Sequence, residues 1–380
     1  MRRVTTKALL PGMKVGHPIY NGRGEILLNR GVVLNQKYIE GLSKLGIPVI
    51  YIFNEDLPDL YVEDVIDERT RVAAINTTKK ILKNPGSAKS PLNWSLLHEA
   101  RNTISEIIEQ LLENRSLMVN MIDIRSFDDY LFAHSVNVCV LSLITGLSLN
   151  YDRYKLMDLG MGALMHDMGK TLIPAQILNK PGPLNESEFN VVKQHPEYGY
   201  TILTGTGTSY IKKTSALVAL QHHERYNGEG YPKGLAGADI HEFSQIVGIA
   251  DVYDAMTVDR VYRKAHPPNE AYEMLAASGD FFFDYKLVQY FLKNIAAYPV
   301  GSIVKLSSGT TAVVMETPKG FSLYPRIKVL YDAEGNKLAE PVDIDMAKQN
   351  IITITHVLEH EEIESLKQKG REQTGAQIIP

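Results

Sequence analysis

Cysteine is almost absent from the sequence, since Cys139 is the only one among 380 residues. No disulfide can therefore form within the chain. This cysteine lies in an apolar run, and its surroundings give no indication of a catalytic role. Such sparse cysteine usage is typical of a reducing compartment, and we expect the protein to be cytoplasmic.

An excess of basic charge is also missing. The 40 lysines and arginines are balanced by 44 acidic residues, and the formal net charge is −4. This balance gives no general electrostatic reason to expect a nucleic-acid polymer or a membrane surface as partner. The apolar-rich run at 138–149 is shorter than the roughly 20 residues of a membrane span. The N-terminal segment has no apolar core or cleavage site, so we expect no signal peptide.

Hydrophobic periodicity changes twice along the chain. Short alternating runs open the sequence, long runs with a 3.6-residue period follow, and short β-branched runs return near the end. We therefore predict a mainly α protein: an all-helical domain flanked by small β-rich modules. The predicted divisions are a β-rich module at 1–53, a helix and linker at 54–93, the helical domain at 94–297, an antiparallel β module at 298–358 and a polar tail at 359–380.

Local signals predict the individual elements. The N-terminal module should contain a hairpin of 15–20 and 25–28, a helix at 36–44 capped by Asn35, and a strand at 48–53. The C-terminal strands are predicted at 303–306, 311–316, 326–332 and 351–357. Asn185 should cap one of the long helices. Beyond the helix at 36–44, the predicted helices are 64–82, 96–114, 128–147, 151–168, 186–203 (the helix capped by Asn185), 214–221, 243–257, 269–277 and 285–297.

The stretch HHERYNGEGYP at 222–232 is the most unusual part of the sequence. Its two adjacent histidines have the character of metal ligands. Gly228 and Gly230 permit backbone angles that other residues reach only at a cost, and Pro232 restricts Tyr231 before it. The stretch is therefore interpreted as a rigid loop at the mouth of a site. The alternative is a surface turn with two chance histidines, so the context has to decide.

Five histidines and two aspartates in the helical region form that context. The candidate ligands are His134, His166, Asp167, His195, His222, His223 and Asp251. Seven ligands are too many for one closed tetrahedral zinc site. Mixed imidazole and carboxylate ligands suit two octahedral-type ions, with iron and manganese both compatible. A pair of metal ions is the usual apparatus for hydrolysis of a phosphodiester.

The motifs around these residues resemble the HD-GYP family of HD-domain phosphohydrolases. They are HDMGK at 166–170, NKPGPL at 179–184, HPEYGY at 195–200, HHERYNGEGYPKGL at 222–235 and ADVYDAMTVDRVYRKA at 250–265. The resemblance covers about 128–296, and its motifs are jointly specific. It implies an all-helical, metal-dependent phosphodiesterase that hydrolyses the second messenger cyclic di-GMP to pGpG, GMP or both.

By motif position, the resemblance also implies a ligand set. One metal ion would be held by His134, His166, Asp167 and Asp251. Asp167 would bridge to a second ion held by His195, His222 and His223, and this binuclear centre would activate a hydroxide.

The resemblance assigns a further set of residues to the substrate. Lys170 would contact the scissile phosphate, and Tyr231 would belong to the loop that gives the family its name. Arg260, with Arg263 or Lys264, would hold the phosphates of the nucleotide, because arginine binds phosphate through paired hydrogen bonds.

One departure from the family pattern concerns the number of metal ions. Some family members carry a glutamate four residues before the first histidine, where it helps to bind a third ion. This chain has Tyr130 there, and Asp128 and Asp129 are poorly placed on the same helix face. We therefore predict two ions, and the product is left open between pGpG and GMP.

Three interpretations of the function are kept. The leading one is a cyclic di-GMP phosphodiesterase. The others are a cyclic-dinucleotide receptor with little turnover and an HD phosphohydrolase for another cyclic dinucleotide or a nucleotide monophosphate. The segments before and after the core motifs resemble those that often accompany HD-GYP domains. Neither segment looks like a phosphorylation receiver domain, so the input signal is left open, and signalling protein partners are expected. The apolar face of 96–114 allows either a homodimer or packing within the monomer.

Overall fold

The structure is a computed structural model of the chain. It describes residues 1–21, 25–45, 47, 49–53, 60, 64–85, 92–119, 130–180, 182–205, 210–258, 265–349, 351–359 and 361–366. The chain forms two compact units. Unit 1 contains Met1–Asp64, Ser116–Phe127 and Ile295–Pro380, and unit 2 contains Val65–Arg115 and Asp128–Asn294.

The N-terminal part of unit 1 consists of two small antiparallel strand pairs and one helix. Strand β1 (Arg2–Thr5) pairs with β4 (Val49–Ile52), and β2 (Ile19–Tyr20) pairs with β3 (Ile26–Leu28). The predicted hairpin is therefore confirmed, although its strands are shorter than expected. Helix α1 (Gln36–Lys44) begins at the predicted cap, where the Asn35 side chain accepts the N–H of Tyr38.

The C-terminal part of unit 1 is a five-stranded antiparallel sheet in the order β8-β7-β6-β5-β9. Its strands are β5 (Ile303–Leu306), β6 (Thr311–Glu316), β7 (Arg326–Tyr331), β8 (Lys337–Asp345) and β9 (Ile354–Val357). Four of them were predicted, but β8 was missed. It is a mostly exposed edge strand that contains Pro341, so it lacks the apolar alternation that marks a half-buried strand.

The two β-rich parts of unit 1 share one hydrophobic cluster. Met1, Tyr51 and Leu60 are buried with residues of the five-stranded sheet, among them Val313 and Leu330. These partners are far apart in the sequence, and local periodicity cannot reveal that they pack together.

Within the described residues of unit 2, the regular secondary structure consists of helices. Its helices are α2 (Glu68–Lys83), α3 (Trp94–Glu113), α4 (Tyr130–Ser148), α5 (Arg153–Leu164), α6 (Ala175–Leu178), α7 (Glu186–Val192), α8 (His195–Thr204), α9 (Lys213–Gln221), α10 (Glu242–Thr257), α11 (Pro268–Ala276) and α12 (Tyr285–Leu292). The mainly α fold with flanking β modules is therefore confirmed.

Helix α4 lies at the centre of unit 2 and packs against α2, α5, α10 and α12. Its apolar segment Leu131–Ser148 has the length and hydropathy of a membrane span, but 78% of it is buried inside the protein, as in the core helix of a globular fold. The apolar face of α3 is also used within unit 2, where Leu97, Ile104 and Ile108 are fully buried.

Two predicted helices are interrupted, and both interruptions fall at candidate ligands. The helix predicted at 151–168 ends at Leu164, and the chain turns through His166 and Asp167 into a 3₁₀ turn at Met168–Leu172. The helix predicted at 186–203 is two helices, α7 and α8. Pro196 lies in the first turn of α8, where a proline is tolerated, whereas inside a continuous helix it would remove a backbone hydrogen bond.

Asn185 forms the predicted cap of α7, and its side chain and that of Glu188 form a reciprocal capping box. We expect Asn185→Ala to lower the free energy of unfolding by about 1 kcal/mol, because a backbone N–H at the start of α7 loses its acceptor. Urea unfolding followed by the fluorescence of Trp94, the only tryptophan in the sequence, would measure the change in unit 2. Asn185→Asp keeps the acceptor and is the control. An unchanged midpoint for the alanine variant would contradict the prediction.

Candidate metal centre

All seven predicted ligands converge in unit 2. They come from three helices and two turns. His134 lies near the start of α4, His166 and Asp167 lie in the turn after α5, His195 begins α8, His222 and His223 follow α9, and Asp251 lies within α10. Their donor atoms form two groups in which all distances are within 4.8 Å: Asp167, His195, His222 and His223 in one, and His134, His166 and Asp251 in the other.

Backbone carbonyls orient three of the imidazoles. Ala163 accepts the Nδ1–H of His166 at 2.7 Å, Val192 that of His195 at 2.7 Å, and Val218 that of His222 at 3.0 Å. A carbonyl oxygen can only accept, so each Nδ1 carries a hydrogen. Each Nε2 then carries a lone pair that can bind a metal ion, which is the usual arrangement of a metal-binding histidine.

Asp167 lies between two sets of imidazoles. Its Oδ2 is 3.4 Å from His166 Nε2 and 3.9 Å from His134 Nε2. Its Oδ1 is 3.4 Å from His195 Nε2 and 3.7 Å from His222 Nε2. One carboxylate therefore presents one oxygen to each set.

A second carboxylate, Asp251, completes the centre. Its Oδ1 is 3.2 Å from His134 Nε2, and its Oδ2 is 4.0 Å from His223 Nδ1. Burial alone would raise the pKa of Asp251, but the hydrogen bond from His134 and the charge of neighbouring imidazoles hold it well below its usual value. Burial acts in the same direction on Asp167, where Lys170 and His166 outweigh it and hold the pKa well below the usual value.

In the set that contains His195, the imidazoles are neutral because burial disfavours their charged form. Burial, assisted by the charge of Lys170, lowers the pKa of His195 to about 3. Burial also lowers the pKa of His222 and holds that of His223 well below its usual value. Ionised carboxylates and neutral imidazoles are the forms that bind a metal ion.

His134 differs from the other histidines. Burial would lower its pKa, but hydrogen bonds and charge from Asp251 and Asp254 raise the pKa to about 10. The ring is held between these two carboxylates, with Nδ1 at 2.6 Å from Asp254 Oδ2. Its Nε2 faces Asp251 and Asp167, where a cation could take the place of the proton.

Two buried atoms of the cluster lack hydrogen-bond partners, and they indicate that the site fits a metal. They are His166 Nε2 and Asp167 Oδ1. Leaving a polar atom buried and unpaired costs about 1–3 kcal/mol. Both atoms point into the cluster, and imidazole nitrogen with carboxylate oxygen is a ligand combination for a divalent transition metal. A bound cation would satisfy both atoms.

Two glycines allow the backbone approaches on which the centre depends. A Cβ on Gly169 would overlap the carbonyl oxygen of His195 and lie 2.6 Å from the N of Gly199, so the turn after α5 touches the start of α8. Gly228 has the positive φ that the sequence predicts, at 81°. Gly230 is needed for space instead, because its Cβ would lie 2.6 Å from the carbonyl carbon of Glu224.

The predicted substrate residues are only partly described. Lys170 Nζ is 2.6 Å from Asp167 Oδ2, and its side chain is 24% exposed. The ring of Tyr231 stacks on that of His223 with centroids 4.7 Å apart. The other predicted contacts, Arg260, Arg263 and Lys264, lie outside the described residues. The side chain of Tyr130 and the positions of Asp128 and Asp129 lie outside them too.

Sequence reasoning missed two buried carboxylates beside the ligands. Asp254 accepts a hydrogen bond from His134, and Glu224 accepts the N–H of Lys233 at 2.7 Å and of Leu235 at 3.0 Å. Glu224 thereby closes the loop that carries Tyr231. Both residues belong to quoted motifs, in which an acidic residue beside a candidate ligand was an available signal.

Comparison with known proteins agrees with this site. Residues 107–287 match a family model described as HD domain, and residues 303–366 match one described as KOW domain associated with HD domain. The chain belongs to the HD-domain family, and its motifs place it in the HD-GYP group.

Relatives within this family have names that state their substrates. The cyclic di-GMP phosphodiesterase PA4108 of Pseudomonas aeruginosa is 36% identical over 66% of this chain and 60% of its own length. The cyclic di-GMP phosphodiesterase response regulator RpfG of Xanthomonas campestris is 36% identical over 51% of this chain and 50% of its own length. The 3′3′-cGAMP-specific phosphodiesterase 1 of Vibrio cholerae is 37% identical over 44% of this chain and 38% of its own length. The chain thus spans between about two fifths and three fifths of these relatives.

The close approach of α8 to Gly169 can be tested as a requirement for metal binding. We expect Gly169→Ala to displace α8 from the turn at His166 and Asp167, and so to lower both the thermal stability and the metal content after loading with Mn²⁺. Overpacking of this kind costs about 1–3 kcal/mol or more. Elemental analysis and thermal unfolding would measure the two effects. Gly41→Ala is the control, because a Cβ there meets nothing within 4 Å. Full loading of the Gly169 variant would show that the close approach is not required.

Proposed function

We propose that the protein is a metal-dependent phosphodiesterase that hydrolyses cyclic di-GMP. The observation that carries this proposal is the position of Asp167, whose two oxygens face two separate sets of imidazoles. The names of the two relatives with the longest matches described above supply the substrate class.

In this proposal the seven residues hold two metal ions that share Asp167 as a ligand. His134, His166, Asp167 and Asp251 would hold one ion, and Asp167, His195, His222 and His223 would hold the other, in agreement with the two groups of donor atoms. Nitrogen and oxygen ligands are compatible with iron or manganese. When bound, such a pair of ions supplies Lewis-acid polarisation of the phosphoryl group and a stronger nucleophile from water at neutral pH.

The protein's own residues prepare the site for an anionic substrate. The carbonyl-anchored imidazoles are fixed before binding, which lowers the reorganisation needed during reaction. Lys170 holds Asp167 ionised and is itself partly exposed, so its ammonium group can also meet a phosphate oxygen. Tyr231 covers His223 and places an aromatic ring at the edge of the site. Phosphate contacts by Arg260, Arg263 and Lys264 remain predictions.

Two other functions are distinguished by direct assays. Hydrolysis of 3′3′-cGAMP is favoured as a second candidate by the similarity to the Vibrio cholerae enzyme. A receptor with little turnover would bind a cyclic dinucleotide without consuming it. Parallel assays with cyclic di-GMP and 3′3′-cGAMP, with products separated as pGpG and GMP, would rank these functions and identify the product. A cytoplasmic location, a homodimer and signalling protein partners also remain predictions.

Removing the shared carboxylate tests the binuclear centre. We expect anaerobically purified wild-type protein to contain about two iron or manganese ions per chain. Asp167→Ala should lose metal and all measurable turnover of cyclic di-GMP, because both sets of imidazoles lose their common ligand. Metal analysis and the hydrolysis assay measure these effects. Asp158→Ala is the control, since that carboxylate pairs with the exposed Lys212. Full activity of Asp167→Ala would overturn the mechanism.

Lys170→Met separates substrate contact from metal binding. If its ammonium group stabilises charge on the phosphodiester, kcat should fall about 10²- to 10³-fold while the metal content is retained. Lys155→Met is a control, because Lys155 lies on α5 with its ammonium group over the ring of Tyr151. Loss of metal in the Lys170 variant would assign the lysine to holding Asp167 instead, and unchanged kcat would remove it from the mechanism.

A further inference from the structure

A buried chain of polar side chains leads away from the metal centre at His134. The Nδ1 of this histidine lies 2.6 Å from Asp254 Oδ2. Asp254 is fully buried, and a carboxylate there requires both hydrogen bonds and a compensating charge. Its contacts therefore show what keeps it in place.

The second oxygen of Asp254 is held by Asn137 of α4. Asn137 Nδ2 donates to Asp254 Oδ1 at 2.9 Å, and Asn137 Oδ1 accepts from Arg71 Nη1 at 3.1 Å. A guanidinium can only donate and an ionised carboxylate can only accept, so the orientation of the amide between them is fixed. Asn137 and Arg71 are both buried.

Arg71 extends this chain to a helix outside the matched family region. It lies on α2, whereas the HD-domain match begins at residue 107. A buried guanidinium two side chains away from a buried carboxylate offsets part of its charge. The centre is thus supported by a helix that the sequence analysis assigned to a separate segment.

We propose that Asp254 is a positioning residue for His134, and that Arg71 of α2, acting through Asn137, holds Asp254 in the required orientation. This inference rests on the proposed metal centre. By accepting the Nδ1–H, Asp254 fixes the ring so that Nε2 faces Asp251 and Asp167, and it makes that nitrogen a stronger ligand. Partners of this kind change metal affinity about 10- to 100-fold when they are mutated.

The test is Mn²⁺ binding by the full-length chain after removal of metal, measured by competition with a chromophoric chelator. Asp254→Asn keeps the shape of the side chain but removes its charge. We expect it to weaken one of the two Mn²⁺ equivalents about 10- to 100-fold and to leave the other near its wild-type affinity. Asp158→Asn makes the same change on α5, where the carboxylate pairs with Lys212 and with no candidate ligand, and should leave both equivalents unchanged.

A second pair of variants tests the role of α2. Arg71→Met should weaken the same equivalent about 2- to 30-fold, whereas Arg69→Met, the same change at an exposed position of the same helix, should not. The double variant with Asp254→Asn should bind no more weakly than Asp254→Asn alone, because Arg71 acts through that carboxylate. If Asp254→Asn does not fold, the Arg71 and Arg69 variants carry the test.

The outcomes separate this inference from the proposed function. Wild-type Mn²⁺ affinity in Asp254→Asn, with or without a lower thermal stability, would overturn the positioning role and leave a structural one. If the losses of Mn²⁺ affinity are fully additive in the double variant, Arg71 does not act through Asp254. Mn²⁺ binding without hydrolysis by the wild type would overturn only the proposed function, and no Mn²⁺ binding would overturn both.

Discussion

The burial of one carboxylate among imidazoles is the constraint on which unit 2 depends. Asp167 is 2% exposed, and Lys170 and the neighbouring rings must offset its loss of hydration. Its two oxygens then serve two sets of nitrogens, and one of them has no hydrogen-bond partner. A bound cation would complete this arrangement, since an unpaired buried oxygen is costly.

The helices of unit 2 are arranged to meet this constraint. Most of the ligands lie near the beginning or end of a helix, where the chain can bring a side chain and a backbone carbonyl to the same point. His195 at the start of α8 takes its orientation from Val192 at the end of α7, across the break between the two helices. Gly169 makes the approach of α8 possible by leaving room that a Cβ would fill. The interruptions of regular structure are thus part of the site.

Several layers of polar contact surround the ligands. Backbone carbonyls hold three imidazoles, Glu224 closes the loop that bears Tyr231, and Asp254 holds His134. Because each of these groups is buried, each is fixed by a further partner, and the polar network extends to Arg71 on α2. The stability of the centre is therefore distributed over helices well separated in the sequence.

The sequence by itself determined the features that depend on neighbouring residues. The 3.6-residue period identified most of the helices, Asn35 and Asn185 were recognisable caps, and the spacing of His and Asp motifs marked the candidate ligands. Tertiary structure alone decided the break before His195, the edge strand β8, and the link from Arg71 through Asn137 to Asp254. The physical reason is that periodicity and capping act over a few residues. Close backbone approach, edge pairing and the hydrogen bonds between buried polar side chains depend on which distant segments the fold brings together.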